Sequence, residues 1–538
     1  MASIDVLSPC SMGAAASLDV AALNSLCSGS LDELIAPQQA PARGGAPASP
    51  LSPSRAAAAP RGAASAEEGA SADPVRAAKV QAATELVKMS WQYKATGSVA
   101  AAGVLADLGA RRIPHGGPAG MKRVAASLIK AHGLDDTTYV YDLGNTVRLF
   151  RAWRAAMPRV APFYAVKCNP EPALLRLLAA LGAGFDCASK AELEAVLALG
   201  VPPERVIFAH PCKRPADLRF AAGAGVQLTT FDTEGELGKV AAAYPGVGLV
   251  LRVRCDDPDA RVPLGLKYGA DPSEAPRLLA AAKDLGLRVV GVSFHVGSAC
   301  KNLAAFDAAI ATAAAIFEQG AALGHAMSLL DVGGGFSGRF DAGGHVVFGD
   351  IARAVSAALA AHFPPDAGVR VIAEPGRYFA EASAALAVPV YGTRDRPAAG
   401  GGVHKDYWLT DGLYGSFNCI LYDGQKPQPH VLRSPLLPSL AADAEAPRFP
   451  STLWGPTCDS ADYIYKGLPL PELRTGDWLL FPGAGAYTVA GACDFNGIAM
   501  TEPTRFCVFS ECAADDAADA GDAEPAAIEG CEAPGSGA

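Results

Sequence analysis

The sequence predicts an α/β fold in which a closed (β/α)8 barrel is joined to a smaller, mostly β domain, an alanine-racemase-like arrangement. Eight apolar, β-branched runs alternate with Ala/Leu-rich stretches between residues 162 and 374. Such alternation implies parallel strands with crossover helices, and eight units favour a closed barrel. A doubly wound sheet is the alternative, but no GxGxxG motif opens the first helix. After about residue 384, short runs with glycine turns and no long helical stretch predict the β domain.

The individual elements follow from this alternation. The predicted barrel strands are residues 162–167, 184–188, 205–209, 227–231, 248–253, 288–295, 327–332 and 369–374. Residues 137–144, "TTYVYDLG", are predicted to add a strand to the β domain from the amino-terminal side. The predicted domains are therefore a barrel at 143–383 and a β domain formed by 111–142 and 384–511.

Both ends of the chain have low sequence complexity. Residues 1–110 are predicted to be disordered, because their central part is rich in Ala, Pro, Ser and Gly with almost no aliphatic bulk. Residues 512–538 are predicted to form an acidic, disordered tail, and residues 392–405 a flexible insertion. The first 35 residues contain no Lys or Arg, which fits neither a transit peptide nor a secretory signal, so we expect a cytoplasmic protein.

Composition excludes several classes of function. A formal charge of −10 argues against a general nucleic-acid binder, and no apolar run is long enough for a membrane span. The 13 cysteines are scattered without a CxxC pair or a His/Cys cluster at zinc spacing. We therefore expect reduced thiols, no metal site and no membrane or nucleic-acid partner.

Ionisable residues and glycines collect where the predicted strands end, which is where barrels carry their chemistry. These residues are Lys167, Asp186, His210, Asp232, Arg252, His295, Gly333, Gly334, Gly335 and Glu374. A capping or salt-bridge role is the better interpretation of His210 and Asp232 taken alone. For Lys167, the alternatives are a surface lysine and an amine kept partly neutral by burial in order to attack a carbonyl.

The strand-end groups together predict a pyridoxal 5′-phosphate site. Lys167 supplies an amine for the aldehyde, and the glycines of "DVGGGF" with Ser298 and Arg377 supply a phosphate cradle. His295 offers a flat ring for stacking. Glu374 offers a carboxylate that keeps the pyridine nitrogen protonated, as an electron sink requires.

Eight ordered motifs carry a family resemblance over roughly residues 137–510. They are "PFYAVKCN", "GFDCASKAE", "SFHVGSAC", "DVGGGF", "AEPGRY", "DGLYGSFNCILYD", "WGPTCDSAD" and "GAYTVAGACDFNG". In these motifs the chain resembles the eukaryotic ornithine decarboxylases, which belong to the alanine-racemase-like, group IV pyridoxal-phosphate-dependent decarboxylases. The resemblance implies a lyase that converts L-ornithine to putrescine and CO₂, the entry step of polyamine biosynthesis.

The resemblance also implies a role for each matching residue. The catalytic residues would be Lys167 as the Schiff-base lysine, Glu374 at the pyridinium nitrogen, His295 against the ring and Cys458 as a proton donor from a partner subunit. Cofactor contacts would also come from Asp186, Glu192, Arg252, Ser298, Gly333, Gly334, Gly335, Arg377 and Tyr487. Asp423, Asp459 and Tyr422 would bind the substrate, whose distal amine would pair with the two aspartates. Lys267, Asp462 and Gly485 would lie at the interface of a homodimer with shared sites, and antizyme is a further candidate partner.

Two departures from the family pattern lie near the pocket. His210 stands in "AHPCK" where we expect asparagine in many relatives, and the loop after "LYDG" differs. A decarboxylase of lysine or arginine therefore remains an alternative, whereas a diaminopimelate enzyme would need a cation in place of the aspartates. A second alternative is an inactive regulator resembling antizyme inhibitor. We disfavour it because Lys167, Glu374, Arg377 and Cys458 are all present.

Overall fold

A closed barrel of eight parallel strands forms the larger part of the computed structural model, as the sequence predicts. The structure describes residues 100–255, 267–298, 300, 302–338, 348–398, 401–437 and 446–514. The barrel strands are β3 (Val160–Ala165), β4 (Gly184–Cys187), β5 (Val206–Phe208), β6 (Leu228–Phe231), β7 (Gly248–Arg252), β8 (Arg288–Ser293), β9 (Leu329–Asp331) and β10 (Arg370–Ala373). They follow one another in chain order around the barrel, and β10 closes it against β3.

Helices connect these strands and shield their outer face. They are α3 (Leu143–Ala156), α4 (Pro172–Leu181), α5 (Lys190–Ala198), α6 (Pro215–Gly223), α7 (Glu234–Ala243), α8 (Ala275–Asp284), α9 (Leu303–Ala322) and α10 (Phe348–His362). Side-chain caps start several of them: Ser189 accepts from the Glu192 N–H at 3.2 Å and Thr233 from the Glu236 N–H at 3.3 Å. These caps satisfy amides that the helix cannot pair, and so fix where each helix leaves its strand.

A nine-stranded sheet forms the second domain, from segments on both sides of the barrel. Its strands are β1 (Arg111–Gly116), β2 (Thr138–Asp142), β11 (Ala384–Pro397), β12 (Val403–Leu409), β13 (His430–Leu432), β14 (Arg448–Trp454), β15 (Tyr463–Pro471), β16 (Trp478–Pro482) and β17 (Thr504–Ala514). Strand β2 lies between β17 and β11, which confirms that residues 137–144 contribute a strand. Helix α2 (Gly117–His132) follows β1, and the short helices α11 (Arg377–Ala380) and α12 (Cys419–Asp423) lie on either side of the β11–β12 pair in the chain.

Two packed cores hold the two parts. The barrel interior is filled by Phe163, Ile207, Ala209, Val250, Leu329 and Ile372, and a larger apolar layer lies between the strands and the surrounding helices. In the sheet domain, strands β2, β11, β12 and β16 contribute a separate apolar cluster. The strands are therefore anchored on both faces, and their carboxyl ends form a fixed rim for the side chains described below.

Three segments differ from the sequence predictions. Residues 100–107 are helical (α1), and Ala101, Ala102 and Leu105 are buried, so disorder does not extend to residue 110. Residues 392–398 and 401–405 do not form a flexible insertion, because β11 and β12 pair as an antiparallel hairpin from Gly392↔Trp408 to Pro397↔Val403. Strand β17 continues to Ala514, two residues past the start of the predicted acidic tail. The remainder of both predicted tails lies outside the described residues.

Three further observations concern composition. In the described part of the chain, no helix is long and apolar enough to cross a bilayer. The cysteines whose side chains the structure describes are all free thiols. The described residues contain no group of three His, Cys, Asp or Glu side chains placed to hold a metal ion.

Candidate active site

Lys167 lies in a single 3₁₀ turn, Val166–Cys168, immediately after β3. Its ammonium group contacts the carboxylate of Asp186 at the end of the neighbouring strand β4. The Asp186 side chain is completely buried, whereas that of Lys167 is 41% exposed, so the amine is accessible at the barrel mouth. Burial lowers the pKa of Lys167, but the carboxylates of Asp186 and Glu374 outweigh it and raise that pKa above its usual value. The structure thus pairs the Lys167 ammonium with a carboxylate, which favours its charged form over the partly neutral amine that the sequence predicts.

Glu374 directly follows β10, and its backbone N–H donates to the Gly333 carbonyl at 2.6 Å. Burial raises the pKa of Glu374 well above its usual value, and the nearby Asp186 and Asp331 raise it further. Asp331 ends β9 and accepts from the Gly333 N–H at 2.9 Å, and burial raises its pKa to about 7. Burial and the neighbouring carboxylates thus favour the protonated form of the Glu374 carboxyl.

His295 lies two residues beyond β8, at the same rim. Its Nδ1 accepts from the Gly297 N–H at 3.0 Å, which leaves the proton of the neutral ring on Nε2. Burial lowers its pKa to about 3, with further lowering by Arg252 and Lys167. His295 therefore presents a neutral, flat ring beside two cations.

The glycine run after β9 brings backbone close to that ring. A Cβ added to Gly334 would lie 2.6 Å from His295 Nε2 and 3.0 Å from the Glu374 carbonyl oxygen. Only glycine fits at such distances, and successive glycines leave backbone N–H groups accessible to an anion. The three segments that end β8, β9 and β10 thus meet at Gly334.

Arg377 is the central cation of the site and is 4% exposed. Its Nη2 donates to Ser298 Oγ at 2.9 Å and to both carboxylate oxygens of Asp423, at 2.6 and 2.7 Å. Its guanidinium also lies 5.1 Å from the centre of the Tyr487 ring. The predicted phosphate contacts and one predicted substrate carboxylate are thus joined through a single side chain.

Tyr487 reaches Arg377 from a tightly constrained loop after β16. Its backbone has a φ of +56°, unusual for a residue with a side chain, and its N–H donates to the Cys168 carbonyl at 2.9 Å. Gly485, predicted at a subunit interface, is buried within its own chain. A Cβ at Gly485 would lie 1.8 Å from the Ala380 carbonyl oxygen. The chain's own close packing therefore accounts for this glycine.

Cys458 and Asp459 lie in the β14–β15 turn and are not brought to Lys167 within one chain. Cys458 is exposed, and its N–H donates to Asn496 Oδ1 at 3.0 Å. Asp459 accepts from the Tyr414 hydroxyl at 2.5 Å and from the Ala461 N–H at 2.9 Å, and these bonds lower its pKa. An ionised carboxylate and an exposed thiol are thus held side by side, consistent with donation to a second subunit.

The other predicted interface and substrate residues have the following surroundings within one chain. Asp462 is 1% exposed, and its carboxylate accepts from the Leu413 N–H at 2.8 Å and from the Thr457 hydroxyl at 2.7 Å. Its pairing with Lys267 of a second copy stays a prediction. Tyr422 is 74% exposed, and its contact with the substrate also stays a prediction.

The remaining strand-end residues have local structural partners. Asp232 accepts from the Gly269 N–H at 2.9 Å, and Glu192 from the Ala188 N–H at 2.6 Å. His210 Nδ1 accepts from the Cys212 N–H at 3.1 Å, and burial together with Lys213 lowers its pKa. These contacts fit the interpretation of Asp232 and His210 as local structural residues. Arg252 ends β7, with its guanidinium 5.8 Å from the centre of the Tyr268 ring.

These groups fit pyridoxal phosphate by their chemistry. Asp186 Oδ1 is buried and has no hydrogen-bond partner among the described residues. An accessible amine, a buried carboxyl with a raised pKa, a neutral ring and an arginine beside a glycine run lie on one rim. These match, in turn, an aldehyde, a ring nitrogen, a π face and a phosphate.

Comparison with known proteins identifies the family. Residues 143–381 match the family described as pyridoxal-dependent decarboxylase, pyridoxal binding domain. The ornithine decarboxylase of Mus pahari is 44% identical over 371 residues, which cover 67% of this chain and 78% of that protein. The chain belongs to the pyridoxal-dependent decarboxylases. Its cofactor is pyridoxal phosphate.

Two further relatives of this family member bear on its function. Antizyme inhibitor 2 of Xenopus laevis is 44% identical over 369 residues, covering 67% of this chain and 79% of that protein. The crystal structure of the Paramecium bursaria Chlorella virus arginine decarboxylase bound to agmatine is 37% identical with a TM-score of 0.66, covering 72% of this chain and all of that one. The relatives of this chain therefore include one protein named as an arginine decarboxylase and one named as an antizyme inhibitor.

Gln425, a partner of Asp423, is one residue of the site that was not predicted from the sequence of this family member. Gln425 is 8% exposed, and its Nε2 donates to Asp423 Oδ2 at 2.6 Å and to the Ala486 carbonyl at 2.8 Å. It thereby ties the α12 end to the loop that carries Tyr487. The loop after "LYDG" departs from the family pattern, which indicates that its residues differ near the pocket. The sequence alone does not show which of these residues turns inward.

Replacing Gln425 by alanine should weaken substrate binding more than it slows chemistry. The charged carboxylate of Asp423 would lose the hydrogen bond from Gln425, a contact worth roughly 1.5–3 kcal/mol. The hydrogen bond from Gln425 to the Ala486 carbonyl would be lost as well. We expect the KM for the amino-acid substrate to rise about fivefold with kcat changed less than about twofold, measured by steady-state decarboxylation. Gln428→Ala is the matched control, because Gln428 is half-buried and its described hydrogen bond is to the Lys426 carbonyl, at 3.1 Å. A fall in kcat with constant KM would show that Gln425 does not position a binding group.

Proposed function

We propose that this decarboxylase converts L-ornithine to putrescine and CO₂, and that it acts in the cytoplasm at the entry to polyamine synthesis. The observation that carries the proposal is the buried carboxylate of Asp423 beside the intact cofactor set around Lys167, Glu374 and Arg377. A carboxylate in a partly desolvated pocket selects a substrate whose distal group is a cation. The name of the Mus pahari relative supports ornithine as that substrate.

The residues of the chain would divide the work as follows. When bound, pyridoxal phosphate supplies the electron sink that takes up the electron pair left by departing CO₂. Lys167 holds the cofactor aldehyde, and Glu374 keeps a proton on the pyridine nitrogen. Arg377, Ser298 and the glycine run hold the phosphate, while the neutral ring of His295 lies against the cofactor.

Substrate selection and reprotonation would involve a second subunit. Asp423 and the partner's Asp459 would pair with the distal amine of the substrate. The thiol of Cys458, also from the second subunit, would donate a proton to Cα after CO₂ has left. We include a two-fold homodimer with two shared sites in the proposal, because the described hydrogen bond of Cys458 joins it to Asn496 and not to Lys167 of its own chain.

A direct assay tests the proposed substrate. The purified protein, with saturating pyridoxal phosphate, is given ornithine, lysine, arginine or diaminopimelate, and CO₂ and diamine are measured together. We expect the highest kcat/KM for ornithine, with equal amounts of CO₂ and putrescine. Preference for lysine or arginine would overturn the substrate, and no turnover of any of the four would favour a regulator resembling antizyme inhibitor.

Mixed dimers test the shared site. Lys167→Met removes the amine that would hold the cofactor, and Cys458→Ala removes the thiol that would donate the proton. Either variant alone should therefore be nearly inactive. After random reassortment, half of the dimers are mixed and each of those has one complete site, so about a quarter of wild-type activity should return. The control is a mixture of Lys167→Met with Glu374→Gln, whose lesions lie on the same chain's barrel. Equal recovery in both mixtures, or recovery in neither, would contradict sites built from two chains.

A further inference from the structure

A cavity with a mixed polar and apolar lining lies at the opposite end of the barrel from Lys167. It has a volume of about 710 Å³ and is lined in part by Arg159, Arg288, Arg370, Ser328 and Tyr244. None of the described residues that line it is acidic. Its size is within the range of small-molecule sites, roughly 300–1,000 Å³.

Barrel topology brings the three arginines together. Arg288 is the first residue of β8, Arg370 is the first residue of β10, and Arg159 directly precedes β3. Strands β8, β9, β10 and β3 are consecutive around the barrel. Since neighbouring strands are about 4.8 Å apart, the three side chains start within roughly 15 Å of one another.

Backbone hydrogen bonds hold this end of the barrel in register. The Ser328 N–H donates to the Val290 carbonyl at 2.8 Å, and the Arg370 N–H donates to the Ser328 carbonyl at 2.8 Å. The Arg370 guanidinium lies 5.3 Å from the centre of the Phe163 ring in the barrel interior. The base of the cavity is therefore part of the rigid sheet rather than of a loop.

Two of the three guanidinium groups donate hydrogen bonds to uncharged backbone carbonyls. Arg159 Nη2 donates to the Phe363 carbonyl at 2.6 Å, and Arg288 Nη2 donates to the Gly246 carbonyl at 3.2 Å. Each guanidinium has five N–H donors, and burial lowers the pKa of Arg159. The acidic residues Glu204 and Asp366 flank the cavity beside Gln227 and Pro365 but do not line it.

We propose that this cavity binds a small phosphate-bearing anion at a site separate from the cofactor phosphate. The forked geometry of arginine matches phosphate oxygens with two parallel hydrogen bonds, and three such groups around one cavity suit an anion of more than one charge. The site lies at the amino ends of the strands, so it can be filled while the barrel mouth holds pyridoxal phosphate.

Inorganic pyrophosphate is the probe, titrated by calorimetry into the full-length protein saturated with pyridoxal phosphate, at fixed ionic strength. We expect one saturable site per chain. Arg159→Gln and Arg288→Gln should each weaken binding roughly tenfold, the loss of one charge-assisted contact. Arg219→Gln is the control, since Arg219 is an exposed arginine on α6 outside the cavity. Thermal unfolding of each variant shows whether it is folded.

Three results would overturn the proposal. One is the absence of saturable binding in the folded wild-type protein. Another is unchanged affinity in both cavity variants, which would place the anion elsewhere. The third is binding that disappears as pyridoxal phosphate is raised to saturation, which would assign the anion to the barrel mouth.

Discussion

Lys167→Met should abolish covalent cofactor attachment and lower decarboxylation by at least about 10³-fold. Methionine fills a similar volume at the mouth but has no amine for the aldehyde. It also leaves the completely buried carboxylate of Asp186 without the ammonium that it contacts. The measurement combines steady-state kcat with the visible absorbance of the attached cofactor.

Lys190→Met is the matched control for that substitution. Lys190 is a half-buried lysine on α5 that forms an ion pair with Glu194 at 3.4 Å, one turn along the helix, and lies 5.0 Å from the centre of the Phe220 ring. Surface pairs of this kind contribute about 0–1 kcal/mol, so absorbance and kcat should stay at the wild-type level. Wild-type turnover in Lys167→Met would show that the barrel mouth has been assigned to the wrong amine.

Glu374→Gln should lower kcat by about 10²–10³-fold while leaving the cofactor attached. The amide has nearly the shape of the carboxyl but cannot hold a proton on the pyridine nitrogen. The raised pKa of Glu374, caused by burial and by Asp186 and Asp331, makes its carboxyl the proton carrier at this position. Glu318→Gln, an exposed change on α9, is the control and should be silent.

A cofactor analogue lacking the ring nitrogen separates this role from a structural one. In the wild-type protein the analogue should slow turnover about as much as Glu374→Gln does. In the variant it should slow turnover little further, because both changes remove the same interaction and their effects do not add. Fully additive losses would mean that Glu374 acts on something other than the ring nitrogen.

The barrel and the residues at its mouth were predictable because they depend on local patterns. Apolar, β-branched runs mark buried parallel strands, and the residue after each run lies at the rim whatever the loops do. This places Lys167, Asp186, His295 and Glu374 without knowledge of any tertiary contact. The hairpin of β11 and β12 was missed because the Ala- and Gly-rich residues at its tip resemble a linker, although long-range pairing orders both strands.

Contacts between distant segments could not be predicted in the same way. Gln425 reaches Ala486 across 61 residues, and Asp462 accepts from Leu413 across 49. Such bonds depend on how loops close over the rim, which periodicity does not encode. Asp462 and Gly485, which the family resemblance places at a subunit interface, are also engaged by packing within the chain, and periodicity does not predict that packing either.

Peptide mapping after borohydride reduction of the holoenzyme tests whether the cofactor is joined covalently to Lys167. Reduction converts the cofactor linkage to a stable pyridoxyl label, which mass spectrometry assigns to one residue. We expect one label per chain, on Lys167, and a loss of ornithine turnover in proportion to the labelling. An unlabelled Lys167 in protein that still releases CO₂ from ornithine, or a stoichiometric label on another lysine, would contradict it.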